Sequence, residues 1–398
     1  MQQNTIQKMK ILLISDQFYS ANNGMTISGR RFAKTLIRHG HSVRVVSTDP
    51  DGRAVEFWNT DGPENAEASA NLSYIMKKQY IPIFDKLVSS QGMTFAKPDD
   101  RKLEKAVEWA DVIHILVPFA LSHHVIKIAR EKGKPFTAAF HVQPENITAS
   151  IHMRHLQLIN KGIYRWFRHY IYKYCEYVHC PSKFIANELK KNGYQNKLIV
   201  ISNGIDPDFT YRKKEKPHEI SDRYIILMIG RLSIEKRQDV LIKAVAESRY
   251  RDKILLMLAG QGPCRERLLR LAKKKKIDMV IDFYEKKNLL DLIAISDLYV
   301  HAADMEIEAM SCMEAFAAGL VPVISNSSKS ATPQFALDER SLFRAGDSSD
   351  LAKKIDYWIE HEDEKKKMEY EYSSAARKYS LDDCVRQAEE MFSKAARL

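Results

Sequence analysis

Cysteine is scarce: Cys175, Cys180, Cys264, Cys312 and Cys384 are scattered through 398 residues, with no C-x-x-C pair. An odd, dispersed set speaks for free thiols in a reducing compartment and against a disulfide framework. No window approaches the roughly 18 consecutive apolar residues of a membrane span. The opening "MQQNTIQKMKILLIS" has too short an apolar run for a signal peptide and reads as a first strand, so the expected location is cytoplasmic. Internal repeats, low-complexity tracts and zinc-finger spacings are missing as well.

What is present fits a folded, basic protein. The hydrophobic fraction is 45%, net charge is +11 and pI is about 9.2. Such a balance favours anionic partners: nucleotide phosphates, an acidic membrane surface or nucleic acid. The basic residues are not gathered into one module, so nucleic acid is not expected as a partner. A chain of 398 residues exceeds one ordinary hydrophobic core and predicts two domains.

Strands and helices alternate. "KILLIS" (10–15) precedes a polar loop, "DQFYSANNGM". A helix is expected from Thr26, a candidate N-cap, to Gly40 beyond its end. Further strands are expected at 42–48, 111–117, 135–142, 177–180 and 198–202. Continuous apolar strands between helices argue for a parallel sheet covered on both faces. "NGIDPDFTYRKKEKPHEISD" (203–222) breaks the pattern with glycine, prolines and charge. A second series then follows at 223–230, 253–260, 279–283, 297–300 and 321–325. The boundaries expected are 1–205 and 206–379, with a last helix, about 380–398, packing back on the first domain. The runs "KKKK" (273–276) and "EKKKM" (364–368) read as solvated helix faces. "DPDG" (49–52) and "DPDFT" (206–210) read as turns rather than metal sites.

Four constellations could carry chemistry. In "GRLSIEKRQDVLIKA" (230–244) a strand ends at Gly230, and Arg231 and Lys236 stand before a helix N-terminus, where a phosphate would be held. In "DMEIEAMSCMEAFAAGLVPVISN" (304–326), Glu306 and Glu314 lie eight positions apart. If that span is mostly helical, they are about 12 Å apart, too far for an acid/base pair but suited to two hydroxyl-bearing parts of one ligand. His141 ends a mid-domain strand, and Gly24 permits close backbone approach after the first strand.

Together these motifs resemble the retaining glycosyltransferases of family 4 (glycosyl transferases group 1), over nearly the whole chain. The specific signal is the pairing of G-R-L-x-x-E-K with E-x7-E. The resemblance implies an α/β, GT-B fold, two Rossmann-like domains facing each other across a cleft. It implies that Arg231 and Lys236 hold a donor diphosphate, that Glu314 binds ribose and that Glu306 binds the transferred sugar. His141 would serve near the anomeric carbon, and the backbone at Gly24 and Gly230 near the phosphates. Ile307 and Glu308 join the donor-binding set where relatives commonly carry an aromatic residue and a glycine. No cofactor or divalent metal is implied.

The activity implied is transfer of a hexose from a nucleotide-sugar, with UDP-hexose the leading choice. The acceptor would be a hydroxyl on a membrane lipid such as diacylglycerol, or on a lipid-linked glycan. Its contacts are expected in the loops of 50–105 and 143–165. Alternatives are a soluble enzyme of capsule or cell-wall polysaccharide, or a nucleotide-sugar enzyme that transfers nothing, such as an epimerase. Ile163, Trp166, Phe167, Tyr170, Ile171 and Tyr174 recur at helical spacing with Arg165, Arg168, His169 and Lys173 between them. That helix is either core-facing or a seat for an anionic membrane at the inner face of the plasma membrane.

Overall fold

The computed structural model describes residues 7–19, 24–59, 72–80, 94–145, 148 and 157–397. Much of the expected acceptor region therefore lies outside the described residues. The chain divides into unit 1, Met1–Gly204 with Leu381–Leu398, and unit 2, Ile205–Ser380.

Unit 1 is built on strands β1 Lys10–Gln17, β2 Ser42–Thr48, β3 Ser73–Lys78, β4 Ala96–Lys97, β5 Val112–Ile115, β6 Phe136–Ala139, β7 Tyr177–Cys180 and β8 Lys197–Val200. Their order is β4-β3-β2-β1-β5-β6-β7-β8, parallel throughout except for the β3–β4 pair. Seven of the eight β1 residues are buried, which is why the sequence there shows no alternation. The first strand runs two residues beyond its apolar stretch, through Asp16 and Gln17. Their side chains accept from the backbone N–H groups of Ala96 at 2.8 Å and Thr94 at 3.0 Å. The next helix, Gly24–Arg38, starts before the expected cap: Thr26 is a buried residue inside its first turn. In "DPDG", Asp49 caps the following turn through the N–H groups of Arg53 and Ala54.

The last helix, Leu381–Ala396, belongs to unit 1. Val385, Ala388, Met391 and Phe392 join the core with Ile11, Leu13, Phe32 and Leu36. A polar latch adds direction: His39 reaches Glu389 at 2.7 Å and Asp382 at 2.9 Å, and His41 reaches Glu389 at 3.2 Å.

The aromatic helix, Gln157–Tyr170, divides its stripe. Tyr164, Phe167 and Ile171 are buried, whereas Trp166 is 50% and Leu158 83% exposed. Trp166 stacks on Tyr170 at 5.1 Å, and Tyr170 on His123 at 4.1 Å. Lys161, Arg165, His169 and Lys173 surround them in solvent. The single-face expectation is corrected: the buried face turns by about one residue toward Tyr164, leaving tryptophan outside.

Unit 2 is a six-stranded parallel sheet: β9 Tyr224–Ile229, β10 Ile254–Ala259, β11 Met279–Asp282, β12 Leu298–His301, β13 Pro322–Ser325 and β14 Leu342–Phe343, in the order β11-β10-β9-β12-β13-β14. Its core joins Ile226, Leu241, Leu256, Val300, Val323 and Trp358. The "KKKK" run ends a helix with Lys273, Lys274 and Lys276 exposed. In "EKKKM", however, Lys365 is 2% exposed. Helix Glu362–Ala376 packs that position inward, where its ammonium meets Glu362 at 3.1 Å, the Asp297 carbonyl at 3.3 Å and the Tyr224 ring.

Candidate functional site

The parallel strands β9, β10 and β12 end along one edge of unit 2, and the sheet delivers its loops there, as open α/β sheets do at ligand crevices. After β9 comes Gly230, at φ +149, and after β10 come Gly260 and Gly262, the latter at φ +158. A Cβ on Gly260 would lie 2.0 Å from the Gly230 carbonyl oxygen, and one on Gly262 2.4 Å from that of Leu232. The two loops lie backbone against backbone, with Leu232 N–H donating to Gln261 at 2.9 Å and Cys264 N–H to Leu232 at 2.9 Å. Gly260→Ala is expected to cost about 3 kcal/mol, because one backbone must move. A urea midpoint unchanged from wild type would refute this.

Arg231 follows, part-buried, with its carbonyl held by Gln238 Nε2 at 2.9 Å. Lys236 closes a short turn, and Arg237, at φ 55, starts helix Gln238–Glu247. A left-handed arginine is strained. It is held by Asp304 at 2.9 Å and Asp239 at 3.3 Å.

Glu306 comes from the loop after β12. It bridges to Ser330, and its carbonyl accepts from Ala331 N–H at 2.9 Å. The helix of Glu314, Met310–Ala317, begins only after Ala309, at φ 71. The 306–314 span is therefore not one helix, and the 12 Å helical spacing does not apply. Glu314 is 8% exposed, Glu308 3%, and Ile307 is part-buried.

Lys236 Nζ and His301 Nε2 both donate to the same oxygen of Glu306, Oε1, the histidine at 3.0 Å. The pair is largely shielded, with side chains 21% and 13% exposed for Lys236 and Glu306. Burial by itself would raise the Glu306 carboxyl, but the Lys236 charge and the His301 contacts outweigh it and bring it to about 2. The sequence suggested two separate grips, lysine on phosphate and glutamate on sugar; here they form one ion pair. Behind them, the Tyr299 hydroxyl stands 3.2 Å from both His301 Nδ1 and Ser311 Oγ, and Ser311 Oγ donates to the Ile229 carbonyl at 3.2 Å.

In unit 1, Gly24 is an exposed helix residue rather than a loop glycine. His141 follows β6, part-exposed, edge-on to His179 at 5.4 Å. His179 Nε2 donates to the Ile201 carbonyl at 2.7 Å and stacks on His114 at 5.9 Å. Burial lowers His141 to about 3, helped by the His179 charge, and His179 to about 4.

Sequence reading missed His301, Tyr299, Ser311, Gly260 and Gly262. Two signals could have found them: "GQGP" at a strand end, and a tyrosine and histidine inside the otherwise apolar "LYVH".

A fold with two parallel-sheet α/β units and this loop edge is that of the GT-B glycosyltransferases. The Anabaena HepE structure with UDP and glucose is similar at TM-score 0.73, with 17% identity over 97% of this chain and 100% of that one. The chain belongs to the family 4, group 1 glycosyltransferases: the model "Glycosyltransferase Family 4" matches residues 22–209 and "Glycosyl transferases group 1" matches 210–378. A curated relative, alpha-monoglucosyldiacylglycerol synthase of Acholeplasma laidlawii, is 20% identical over 79% of this chain and 80% of its own length. Other relatives are GDP-mannose-dependent alpha-mannosyltransferases of actinobacteria. The catalytic domain of cholesterol-alpha-glucosyltransferase from Helicobacter pylori is 47% identical, covering 39% of this chain and 99% of that one, at TM-score 0.39.

Proposed function

We propose that this glycosyltransferase moves a hexose, with retention, from a UDP-sugar to a hydroxyl of a membrane lipid. The observation that carries the donor reading is the shielded Lys236–Glu306 pair beside the glycine-rich loops. A cation for a diphosphate and a carboxylate for sugar hydroxyls meet there on one sheet edge. Arg231 and Lys236 take the diphosphate, Gly230 lets backbone approach it, and Glu314 takes the ribose. Glu306 takes the sugar hydroxyls, flanked by Ile307 and Glu308. His141 and Gly24 keep the roles the resemblance gives them.

In the step itself the bond from C1 to the phosphate oxygen breaks, and its electron pair leaves with the nucleoside diphosphate. The acceptor oxygen bonds to C1 from the same face, and its proton passes to the departing phosphate. Fixed cations stabilise the charge building on the diphosphate, so no divalent ion is needed in this reading. The lipid acceptor and a place at the inner face of the plasma membrane are supported by the Trp166–Tyr170 stack amid exposed cations, which suits an interfacial helix. The diacylglycerol-acting relative agrees. Among the described residues no helix is long and apolar enough to cross a membrane.

The test pairs UDP-glucose, UDP-galactose or GDP-mannose with vesicles bearing diacylglycerol or cholesterol, with and without EDTA. An α-linked lipid product, formed from a UDP-hexose and undiminished by EDTA, is the expected result. Product from GDP-mannose alone would overturn the donor choice. Labelling of soluble polysaccharide primers alone would favour the capsule or cell-wall alternative. Epimerised donor without transfer would sink the transferase reading.

A further inference from the structure

Two buried polar side chains on β12 have no part in the roles above. Tyr299 is 0% exposed and His301 1% in a strand whose four residues are all buried. Apolar residues would fill those positions as well, and buried polar groups are retained at a cost unless hydrogen-bonded. These are bonded in series: Ile229 carbonyl, Ser311, Tyr299, His301, Glu306. Ile229 is the last residue of β9, directly before Gly230, so the series links the start of the phosphate loop to the carboxylate.

Both donors to Glu306 fall on Oε1, and Oε2 bonds to none of the described residues. A carboxylate so shielded cannot lose its cation cheaply without another donor in place. A diphosphate arriving at Lys236 would draw that cation away. We propose that His301 is a positioning residue that keeps Glu306 hydrogen-bonded through Nε2–H, so that Lys236 can turn to the donor's diphosphate while Oε2 stays aimed at the sugar. Tyr299, held by Ser311, faces Nδ1 and sets the ring, as partners on the far nitrogen commonly do for a histidine. The inference rests on the donor-site reading of the proposed function.

The test measures binding of UDP and GDP, without sugar, to the full chain by calorimetry, together with kcat and KM. The variants are His301→Leu, His301→Gln, His301→Asn and the double variant His301→Leu/Glu306→Gln. The leucine variant is expected to bind nucleoside diphosphate about tenfold more weakly, since Glu306 then depends on Lys236 alone. Glutamine, whose amide N–H can reach the Nε2 position, should bind within about twofold of wild type, whereas asparagine should be as weak as leucine. Adding Glu306→Gln should restore binding, because a neutral amide releases the lysine; such non-additivity is the mark of a shared network.

Equal binding by wild type and the leucine and asparagine variants overturns the inference. So does a double variant no better than the leucine variant. If the leucine variant does not fold, the contrast between glutamine and asparagine decides. A wild-type chain that binds neither UDP nor GDP sinks the donor-site reading itself, a distinct result from a wild type that binds and variants that match it.

Discussion

Lys236→Met is expected to slow transfer by at least about a hundredfold, the usual effect of removing a group that meets developing charge. It is also expected to destabilise the protein by about 1–2 kcal/mol, because the shielded carboxylate loses its cation and keeps only the His301 donor. The two losses separate. In Lys236→Met/Glu306→Gln no charge is left stranded, so most of the stability should return while the rate stays low. Urea midpoints at constant m and initial rates with saturating acceptor check both limbs. Near wild-type transfer by Lys236→Met would remove the lysine from the site. A double variant as unstable as the single one would show that the pair contributes nothing to the fold.

Acid should destabilise the protein well before its carboxylates are protonated. His114 and His179, 3% and 2% exposed, are held neutral by burial, with His114 well below its ordinary 6.5 and His179 at about 4. The unfolded chain takes up protons on both as pH falls through about 6.5, and the folded chain does not, so their contribution is present above that pH and is lost below it. Asp16 acts in the opposite sense. Burial raises its carboxyl from 3.8 to about 7 against the Ala96 N–H, and its Oδ2 is buried without a partner. The folded chain thus keeps a proton that the unfolded chain releases, which offsets one histidine across the same window.

His141, lowered to about 3, adds a third such histidine, so the net difference of two protons predicts a loss of about 2.7 kcal/mol per pH unit between about pH 6 and 4.5. Asp16→Asn removes the offset and should raise the slope by about half. His114→Asn keeps a group near Thr137, removes a titration and should flatten it. Urea midpoints across that range decide the matter; a slope identical in all three proteins would mean that none of these groups governs acid stability.

Much of the fold was legible from periodicity. "YVHC" is a strand from Tyr177 to Cys180, and "MVIDF" a strand from Met279 to Asp282. The first is buried at all four positions, as a run without alternation implies, whereas the second is an edge strand in which Ile281 alone is buried. Errors fell where a side chain's environment comes from elsewhere in the chain. Lys365 lies in a charge run, yet the Asp297 carbonyl and the Tyr224 ring enclose it. Trp166 shares a helical stripe with Phe167, yet a shift of about one residue in the buried face separates them.

The candidate site divides the same way. Residue types and spacing alone placed Gly230, Arg231 and Lys236 after one α/β strand and Glu306 and Glu314 after a later one, because each type has a fixed chemistry; their joining into one donor site was what the family resemblance implied. Only the tertiary structure decided that Lys236 and Glu306 would share one bond, since 70 residues separate them. It likewise decided that His301 and Tyr299 would stand behind them, and that Gly260 must be glycine. Those outcomes depend on the register of β9, β10 and β12, and a parallel sheet fixes that register through long-range contacts that no local pattern encodes.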